Sequence, residues 1–342
     1  MTENATWPDC GQLLEMAASY RSACVLGAAA ELDLFTVLGD RSWSAEEVTT
    51  ALASDLRATQ ILLDALASLC LLEKQDGRYA VPEPLRGPLT ADAPDTVLPM
   101  VRHLTVILRH WSQLAWVVKS GIPGPQQASL CGFEADRAAF IAAMHTASVP
   151  FADAVVAKLG PLTFSRLLDV GGASGTWTIA LLAAAPPGAR ATIFDLPDAL
   201  VQARQRIAAG PMAERVDFAP GDFYRDELPG GVDFAWVSAI IHQHSRAESR
   251  QLFAKVHRAL IPGGTIAIRD LVMEPCRTRP PFGAMFAVNM LVNTATGGTY
   301  TFAEIAEDLQ EAGFVDPLLK VASDDMNAVV TATRWDGLTP SP

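Results

Sequence analysis

The stretch from Leu167 to Gly175, LLDVGGASG, decides the fold of this 342-residue chain. Its apolar part, Leu167 to Val170, predicts a buried strand, and the residues from Thr176 to Ala185 predict a helix. The glycines between them let the backbone turn tightly and approach a ligand closely. The N-terminus of the following helix favours a carboxylate or phosphate. A glycine turn alone is compatible with a dinucleotide site or with an ordinary tight connection.

Short apolar runs recur after this stretch, at Ala191–Phe194, Val216–Phe218, Phe234–Val237 and Thr265–Ile268. Helical stretches separate most of them, and that alternation predicts an α/β fold, a parallel sheet with helices on both faces.

Two of these predicted strands are followed by acids. Asp195 comes twenty residues after Gly175, where a carboxylate can accept hydrogen bonds from both hydroxyls of a ribose. Gly221-Asp222-Phe223 follows the next strand, and an acid beside an aromatic ring can hold an adenine. Taken singly, each acid is compatible with a solvated turn. The GGxxG spacing of the glycines differs from the GxGxxG of most nicotinamide enzymes, which disfavours a dehydrogenase.

The first hundred residues predict helices, with apolar residues at helical spacing in Leu13–Leu38 and Ile61–Leu72. Ser44 and Glu47 form a capping-box pattern at a helix start. The segment Glu73–Val81 contains an Asp-Gly pair and predicts a hairpin. Helices followed by a hairpin are typical of winged-helix modules, but this segment is poor in Lys and Arg. Dimerisation therefore fits it better than DNA binding.

The bulk composition limits the function classes. Half of the residues are hydrophobic, 19% are charged, and the formal net charge is -12 with a pI of about 4.9. This predicts a sizeable core and disfavours a nucleic-acid partner. The five cysteines form no CxxC pair, so neither a disulfide framework nor a metal site is expected. Without a signal peptide or an apolar run long enough for a membrane span, we expect a cytoplasmic protein.

The motifs above, together with Leu196-Pro197 and Pro262–Gly264, resemble the class I methyltransferases that use S-adenosylmethionine. More narrowly, they resemble the plant-type O-methyltransferase family, which includes caffeic acid and hydroxyindole O-methyltransferases and bacterial relatives. Ala28–Leu38, Leu62–Leu72 and Gly77–Tyr79 resemble that family's dimerisation domain. The resemblance covers nearly the whole chain. It implies a Rossmann-like catalytic domain, an N-terminal all-helical, winged-helix-like dimerisation domain, a homodimer, and S-adenosylhomocysteine as the product.

Three regions are expected on this basis. Residues 1–100 form the dimerisation domain, residues 101–165 a helical connector that contributes to the substrate pocket, and residues 166–335 the Rossmann-like domain that binds S-adenosylmethionine.

The resemblance also implies which residues bind the cofactor. The set comprises Asp169, Gly171, Gly172, Gly175, Asp195, Leu196, Asp222, Phe223 and Ser238. Its glycines line the methionine part, Asp195 binds the ribose with Leu196 nearby, and Asp222 and Phe223 contact the adenine. Ser238 occupies a position where plant members often have lysine.

The base is expected at His242, just past the end of the predicted strand Phe234–Val237, where ligands bind in open α/β sheets. Histidine is the usual base at neutral pH. His242 matches the family's catalytic histidine, although the family run His-Asp-Trp is His242-Gln243-His244 here, and Gln243 supplies no charge. The alternative is a structural histidine that caps the next helix or bonds a backbone group.

Plant members flank the base with two acids. Asp270 matches the first, whereas Gly297–Phe302 has no acid for the second. We predict a pair in which Asp270 orients His242 and stabilises its imidazolium.

The resemblance places the substrate pocket on the connector and on a later helix. The expected substrate-binding residues are Phe140, Met144, His145, Phe286, Asn289 and Met290. The last three fall at helical spacing, which ordinary core packing also explains. Asn289 is the sharper signal, because a buried amide needs partners and could hold an acceptor oxygen.

Three functional hypotheses result. The first is an O-methyltransferase acting on a hydroxyl of a small aromatic or planar metabolite. The second keeps the cofactor but methylates carbon or nitrogen, or catalyses another reaction, because the run around His242 is altered. The third is a ligand-sensing regulator built on the winged-helix module.

Overall fold

The computed structural model describes residues 7–91, 93–335 and 337. By its internal contacts the chain divides into two compact units. The first comprises Met1–Arg109 and Gln127–Thr146, and the second comprises His110–Gln126 and Ala147–Pro342.

The first unit is built mainly of helices. They are α1 (Cys10–Ala18), α2 (Tyr20–Glu31), α3 (Leu34–Leu38), α4 (Ala45–Leu52), α5 (Leu56–Ser68), α6 (Glu83–Arg86) and α7 (Leu98–Trp111), the last of which ends in the second unit. The predicted capping box is confirmed, since the Ser44 hydroxyl accepts from the Glu47 N–H and the Glu47 side chain from the Ser44 N–H. Buried Leu34, Leu63 and Tyr79 belong to its core.

A small antiparallel sheet accompanies these helices. Its strands are β1 (Trp43–Ser44), β2 (Glu73–Gln75) and β3 (Arg78–Ala80), in the order β1-β3-β2. The hairpin between β2 and β3 was predicted, and its turn residues Asp76 and Gly77 both have positive φ, as a two-residue hairpin turn requires. β1 was not expected, so this part of the chain is helical but not all-helical.

The second unit alternates helices and strands. Its helices are α8 (Leu114–Ser120), α9 (Gly132–Ser148, of which residues up to Thr146 belong to the first unit), α10 (Ala152–Lys158), α11 (Thr176–Ala184), α12 (Leu200–Ala208), α13 (Arg246–Ala259), α14 (Pro281–Asn293) and α15 (Phe302–Glu311). Its strands are β4 (Arg166–Val170), β5 (Arg190–Asp195), β6 (Val216–Pro220), β7 (Val232–Ser238), β8 (Leu260–Asp270), β9 (Val272–Met273), β10 (Tyr300–Thr301), β11 (Phe314–Val321) and β12 (Ala328–Arg334).

The main sheet has seven strands in the order β11-β12-β8-β7-β4-β5-β6. Strands β4 to β8 are parallel and contain the five predicted runs. The predicted parallel arrangement is confirmed for these five strands. At one edge β12 runs antiparallel to β8, and β11 pairs antiparallel with β12. A short connection joins these two strands, as antiparallel pairing permits without a crossover helix.

Helices cover both faces of this sheet. One apolar cluster joins α10, α11 and α12 to residues such as Trp236, and the other joins α13 and α15 to residues such as Val237. From β4 the chain adds β5 and β6 on one side, then returns to place β7 on the other. Ligands of open α/β sheets bind at such a switch point, outside the carboxyl ends of the strands.

Within the described ranges, no single helix is both long and apolar enough to cross a membrane. The bent pair Gly132–Ser148 and Ala152–Lys158 passes that test only when its members are joined, by length and composition.

The packing of α11 on the sheet supports a stability prediction. Leu181 is fully buried there, so Leu181→Ala should lower the free energy of unfolding by about 2–5 kcal/mol. The same substitution at Leu318, which is 55% exposed on β11, should change it by about 0.5 kcal/mol or less. Urea unfolding followed by tryptophan fluorescence measures both, and equal losses would contradict this packing.

Candidate active site

The glycine loop leaves β4 at the centre of the carboxyl edge. The Gly171 N–H donates to the Phe194 carbonyl of β5 over 2.8 Å. Gly171 and Gly175 have φ near +70°, a conformation that residues with a Cβ rarely adopt. A Cβ on Gly172 would lie 2.6 Å from the Asp169 carboxyl group, so glycine is required there for packing.

Asp169 lies directly beneath this loop and is 1% exposed. Its Oδ2 accepts a hydrogen bond from Thr178 Oγ1 over 2.5 Å. Burial raises the pKa of Asp169 to about 7, and the charge of Asp195 adds to the increase. Asp169 therefore supports the loop from within the protein, and its predicted role toward the cofactor stays a prediction.

Asp195 joins the glycine loop to the next two strand ends. Its Oδ2 accepts from the Ala173 N–H over 2.9 Å and its Oδ1 from the Leu196 N–H over 2.7 Å. The Asp195 carbonyl accepts from the Gly221 N–H over 2.9 Å. Burial raises the pKa of this carboxyl group. Two backbone donors leave further lone pairs on the oxygens, as binding of a vicinal diol would need.

The third predicted part of the cofactor site, Asp222 and Phe223, follows β6. The Tyr224 N–H donates to Asp222 Oδ1 over 2.9 Å, which fixes the acid on its loop. Phe223 Cε1 lies 4.0 Å from the position that a Cβ on Gly171 would occupy, so its ring borders the glycine loop. The glycine loop, Asp195 and the Asp222-Phe223 pair thus lie next to one another in one cleft at the carboxyl edge of the sheet. A carboxylate, a ring and a tight backbone turn suit the ribose, the adenine and the chain of an adenosyl ligand.

The two candidate catalytic side chains are in contact, as predicted. His242 follows β7 and Asp270 ends β8, and His242 Nδ1 lies 2.8 Å and 3.0 Å from the two oxygens of Asp270. Both residues are buried, and the Leu271 N–H also donates to Asp270 Oδ1. The ring edge of Phe286 packs on the imidazole, with the centroids 4.9 Å apart. Along the described chain, His242 Nε2 makes no hydrogen bond to protein.

Gln243 and His244, which differ from the family's His-Asp-Trp run, make no hydrogen bond to the His242 ring within the described residues. Gln243 Nε2 donates to the Ala239 carbonyl over 3.1 Å. His244 is buried and its Nδ1 donates to the Ile240 carbonyl over 2.9 Å. Burial lowers the pKa of His244, which favours its neutral form. Among the residues described, Asp270 provides the sole carboxylate bonded to His242.

Helix α14 carries three of the expected pocket residues. Phe286 faces His242, Met290 is buried, and Asn289 is half-buried. Asn289 Oδ1 accepts from the Trp111 indole N–H over 2.9 Å and from Asn293 Nδ2 over 3.0 Å. Because an indole N–H can only donate, these contacts identify Oδ1 and leave the Asn289 amide nitrogen as a donor.

The other three expected pocket residues lie in the first unit, on α9. Phe140 is 40% exposed and its ring packs on His103, with the centroids 5.1 Å apart. Met144 and His145 are half-buried on the same helix. Their part in a substrate pocket stays a prediction.

Two residues escaped the sequence analysis. The first is Trp111, which holds Asn289, and the second is Arg269, which donates from Nη1 to Ser238 Oγ over 3.1 Å. The available signal for Arg269 was a cation at the end of an otherwise apolar strand. The contact between Trp111 and Asn289 spans 178 positions of sequence and left no local signal.

The fold and the cleft define a class I methyltransferase, and comparison with known proteins agrees. A family model for the O-methyltransferase domain matches residues 106–315, and one for the O-methyltransferase dimerisation domain matches residues 14–83. The chain belongs to the O-methyltransferase family. It is an S-adenosylmethionine-dependent O-methyltransferase.

Relatives with named activities cover most of the chain. The 3-hydroxy-5-methyl-1-naphthoate 3-O-methyltransferase of Streptomyces sahachiroi is 31% identical over 94% of this chain and 94% of its own length. TcmO of Streptomyces glaucescens, the tetracenomycin polyketide synthesis 8-O-methyl transferase, is 30% identical over 90% of this chain and 91% of its own length. The crystal structure of human N-acetylserotonin methyltransferase in complex with S-adenosylmethionine covers 97% of this chain and 100% of its own, with a TM-score of 0.79 at 24% identity, and supports the fold.

The close approach at Gly172 yields a prediction for ligand binding. Gly172→Ala should lower the free energy of unfolding by about 1–3 kcal/mol, because the Asp169 carboxyl group must move. The affinity for S-adenosylhomocysteine should fall roughly tenfold, equivalent to about 1.4 kcal/mol. Thermal unfolding and titration calorimetry measure the two effects. Gly188→Ala is the matched control, since its Cβ would meet no atom within 4 Å. Unchanged affinity in the Gly172 variant would separate the loop from the ligand.

The buried Asp169 yields a prediction for pH dependence. Its folded pKa of about 7 lies above its ordinary value of 3.8, so the folded protein holds this proton more tightly than the unfolded chain. Its contribution to stability is complete below about pH 4, declines as pH rises, and is lost by about pH 7. Asp169→Asn cannot ionise, so the variant should gain stability relative to wild type across that range. A tenfold change in proton affinity corresponds to about 1.4 kcal/mol.

Urea titrations of the ligand-free protein from acid to neutral pH measure this difference. Asp217→Asn is the control, since its side chain is 67% exposed. A difference between Asp169→Asn and wild type that does not vary with pH would contradict the burial argument.

Proposed function

We propose that the chain transfers a methyl group to a hydroxyl of a small aromatic or planar acceptor, with His242 as general base. The observation that carries this proposal is the contact between His242 Nδ1 and the Asp270 carboxylate, at 2.8 Å and 3.0 Å, beside the cofactor cleft. S-adenosylmethionine supplies the methyl group on a sulfonium, a good leaving group.

Each of the cofactor residues would bind a different part of S-adenosylmethionine. Asp195 would accept from the ribose hydroxyls through the lone pairs that Ala173 and Leu196 leave free. Phe223 would pack on the adenine, with Asp222 accepting from it. Gly171, Gly172 and Gly175 would line the methionine part together with Ser238, while Asp169 braces the loop from below.

His242 would hold the acceptor proton at Nε2. Its Nδ1–H donates to the Asp270 carboxylate, which fixes the tautomer and leaves the Nε2 lone pair for the acceptor hydroxyl. When Nε2 takes the proton, the buried carboxylate stabilises the imidazolium. Asp270 is therefore a positioning residue that acts through His242.

Helix α14 would form the acceptor side of the cleft. Phe286 packs edge-on against His242 and can guide a flat ring toward Nε2. Asn289, held by Trp111, would donate from its amide nitrogen to an acceptor oxygen, with Met290 packed behind. The naphthoate and polyketide named for two relatives support an aromatic acceptor with fused rings.

The proposal extends to the domain organisation. Residues 1–100 would mediate a homodimer as a winged-helix-like module, and residues 101–165 would add Phe140, Met144 and His145 to the pocket. Residues 166–335 would form the catalytic domain. The dimerisation-domain match and the exposed apolar side chains on α1 and at Tyr20 support the homodimer. The acidic composition supports an enzyme without a nucleic-acid partner. The widely spaced cysteines without a CxxC pair support a reducing, cytoplasmic location.

The base can be tested with two acceptors that differ in acidity. His242→Ala should lower kcat/KM for a weakly acidic naphthol roughly a hundredfold or more. The loss should be much smaller for a nitrophenol assayed above its own pKa, because that acceptor arrives without its proton. Binding of S-adenosylhomocysteine should not change. Transfer of radiolabelled methyl and titration calorimetry measure these quantities.

Gln243→Ala is the matched control, since that side chain bonds only the Ala239 carbonyl in the described structure. Equal losses with both acceptors would show that His242 positions the acceptor without removing a proton. A wild-type enzyme that methylated an arylamine but none of the matching phenols would overturn the hydroxyl assignment.

A further inference from the structure

Arg269 is a buried cation next to the cofactor cleft, with the carboxylates of Asp270 and Asp325 near enough to act on its charge. It is 5% exposed on β8. Nε and Nη2 donate to Asn327 Oδ1 over 3.0 Å and 2.9 Å, and Nη1 donates to Ser238 Oγ over 3.1 Å. Its guanidinium carbon lies 4.3 Å from the centroid of the Trp177 ring. No ion pair of Arg269 is found within the described residues.

Such an arrangement is costly if it serves packing alone. Removing a guanidinium from water carries a penalty of several kcal/mol. Two neutral oxygens, one aromatic face and the charges of Asp270 and Asp325, which form no ion pair with Arg269, offset part of this penalty. Burial lowers the pKa of Arg269 to about 10, so it still carries its charge at neutral pH. An anionic ligand would complete its coordination.

The strand registers place this charge beside the glycine loop. Ser238 pairs with Arg269 across β7 and β8, while Val237 pairs with Val170 across β7 and β4. Ser238 therefore neighbours Gly171, the first residue after β4. Trp177, whose ring packs on the guanidinium, is the second residue of α11, the helix that follows the glycine loop and whose N-terminus has a partial positive charge.

The two ends of the cleft have opposite character. Asp195 and Phe223 lie on the side of β5 and β6, where a ribose and an adenine would bind. The opposite side, at β7 and β8, is where the remainder of an adenosyl ligand would extend, and it carries the buried cation. Ser238 Oγ accepts from Arg269, which frees its own O–H to donate outward.

We propose that Arg269, acting with Ser238, binds the carboxylate at the amino-acid end of S-adenosylmethionine. This inference rests on the proposed cofactor site and adds a residue to it. Ser238 donates its hydroxyl proton to the carboxylate, and Arg269 provides the compensating charge behind it. Asn327 and Trp177 hold the guanidinium in place.

The test compares two ligands that differ at that end. S-adenosylhomocysteine carries the amino-acid carboxylate, whereas 5′-methylthioadenosine has the same nucleoside and thioether without it. In titration calorimetry, Arg269→Met should weaken binding of S-adenosylhomocysteine roughly ten- to hundredfold, because the charge behind the carboxylate and the donor that orients Ser238 are both lost. Binding of 5′-methylthioadenosine should stay within about twofold. Arg269→Lys should recover part of the loss.

Two further variants make the result decisive. Ser238→Ala removes the contact to the carboxylate but leaves the buried arginine. It should weaken binding of S-adenosylhomocysteine and leave binding of 5′-methylthioadenosine unchanged, and it provides this comparison even if Arg269→Met fails to fold. Arg258→Met, at an arginine that is 55% exposed, should change neither affinity.

If Arg269→Met or Ser238→Ala weakened the binding of both ligands equally, the inference would be overturned and the role of these residues would be purely structural. Wild-type protein that binds both ligands equally well would also overturn it, while leaving the proposed function intact. Wild-type protein that binds neither ligand would refute the proposed cofactor site, and this inference with it.

Discussion

Three backbone contacts at the carboxyl edge of the sheet constrain everything else in the catalytic unit. Gly171 donates to Phe194, Ala173 donates to the Asp195 carboxylate, and Gly221 donates to the Asp195 carbonyl. Strand ends can approach this closely only where side chains are absent, since a Cβ on Gly221 would lie 2.5 Å from the Phe194 ring. The glycines therefore serve strand packing as well as ligand access, and Asp195 is fixed by the same contacts that close the loop.

The strand order then separates the two chemical tasks. The chain adds β5 and β6 on one side of β4 and then crosses to place β7 on the other side. Asp195 on β5 and His242 after β7 therefore lie on opposite sides of the glycine loop. His242 and Asp270 follow neighbouring strands, and their contact is a consequence of that adjacency. Sheet topology thus brings the His242 imidazole to the Asp270 carboxylate across 28 positions of sequence without a dedicated loop.

Much of this organisation could be predicted, because parallel strands buried on both faces appear as short apolar runs and their carboxyl ends meet at one edge. The edge strand β11 escaped prediction because it is only partly buried and has no crossover helix before its partner. The partners of Asn289 and Arg269 escaped for another reason. Local periodicity carries no information about which distant side chain meets a buried polar group, and only the folded chain brings Trp111 to Asn289.

The segment without the second acid packs on the backbone of His242. A Cβ on Gly297 would lie 2.5 Å from the His242 carbonyl, and the Gly298 N–H donates to that same oxygen over 2.9 Å. The segment therefore holds the backbone of His242, and no side chain fits at Gly297 unless that backbone moves. Since Gln243 turns to the Ala239 carbonyl, Asp270 is the sole side chain hydrogen-bonded to the imidazole among the residues described. The shorter reach of aspartate is sufficient here, because the buried carboxylate receives Nδ1 on both oxygens and is itself held by the Leu271 N–H.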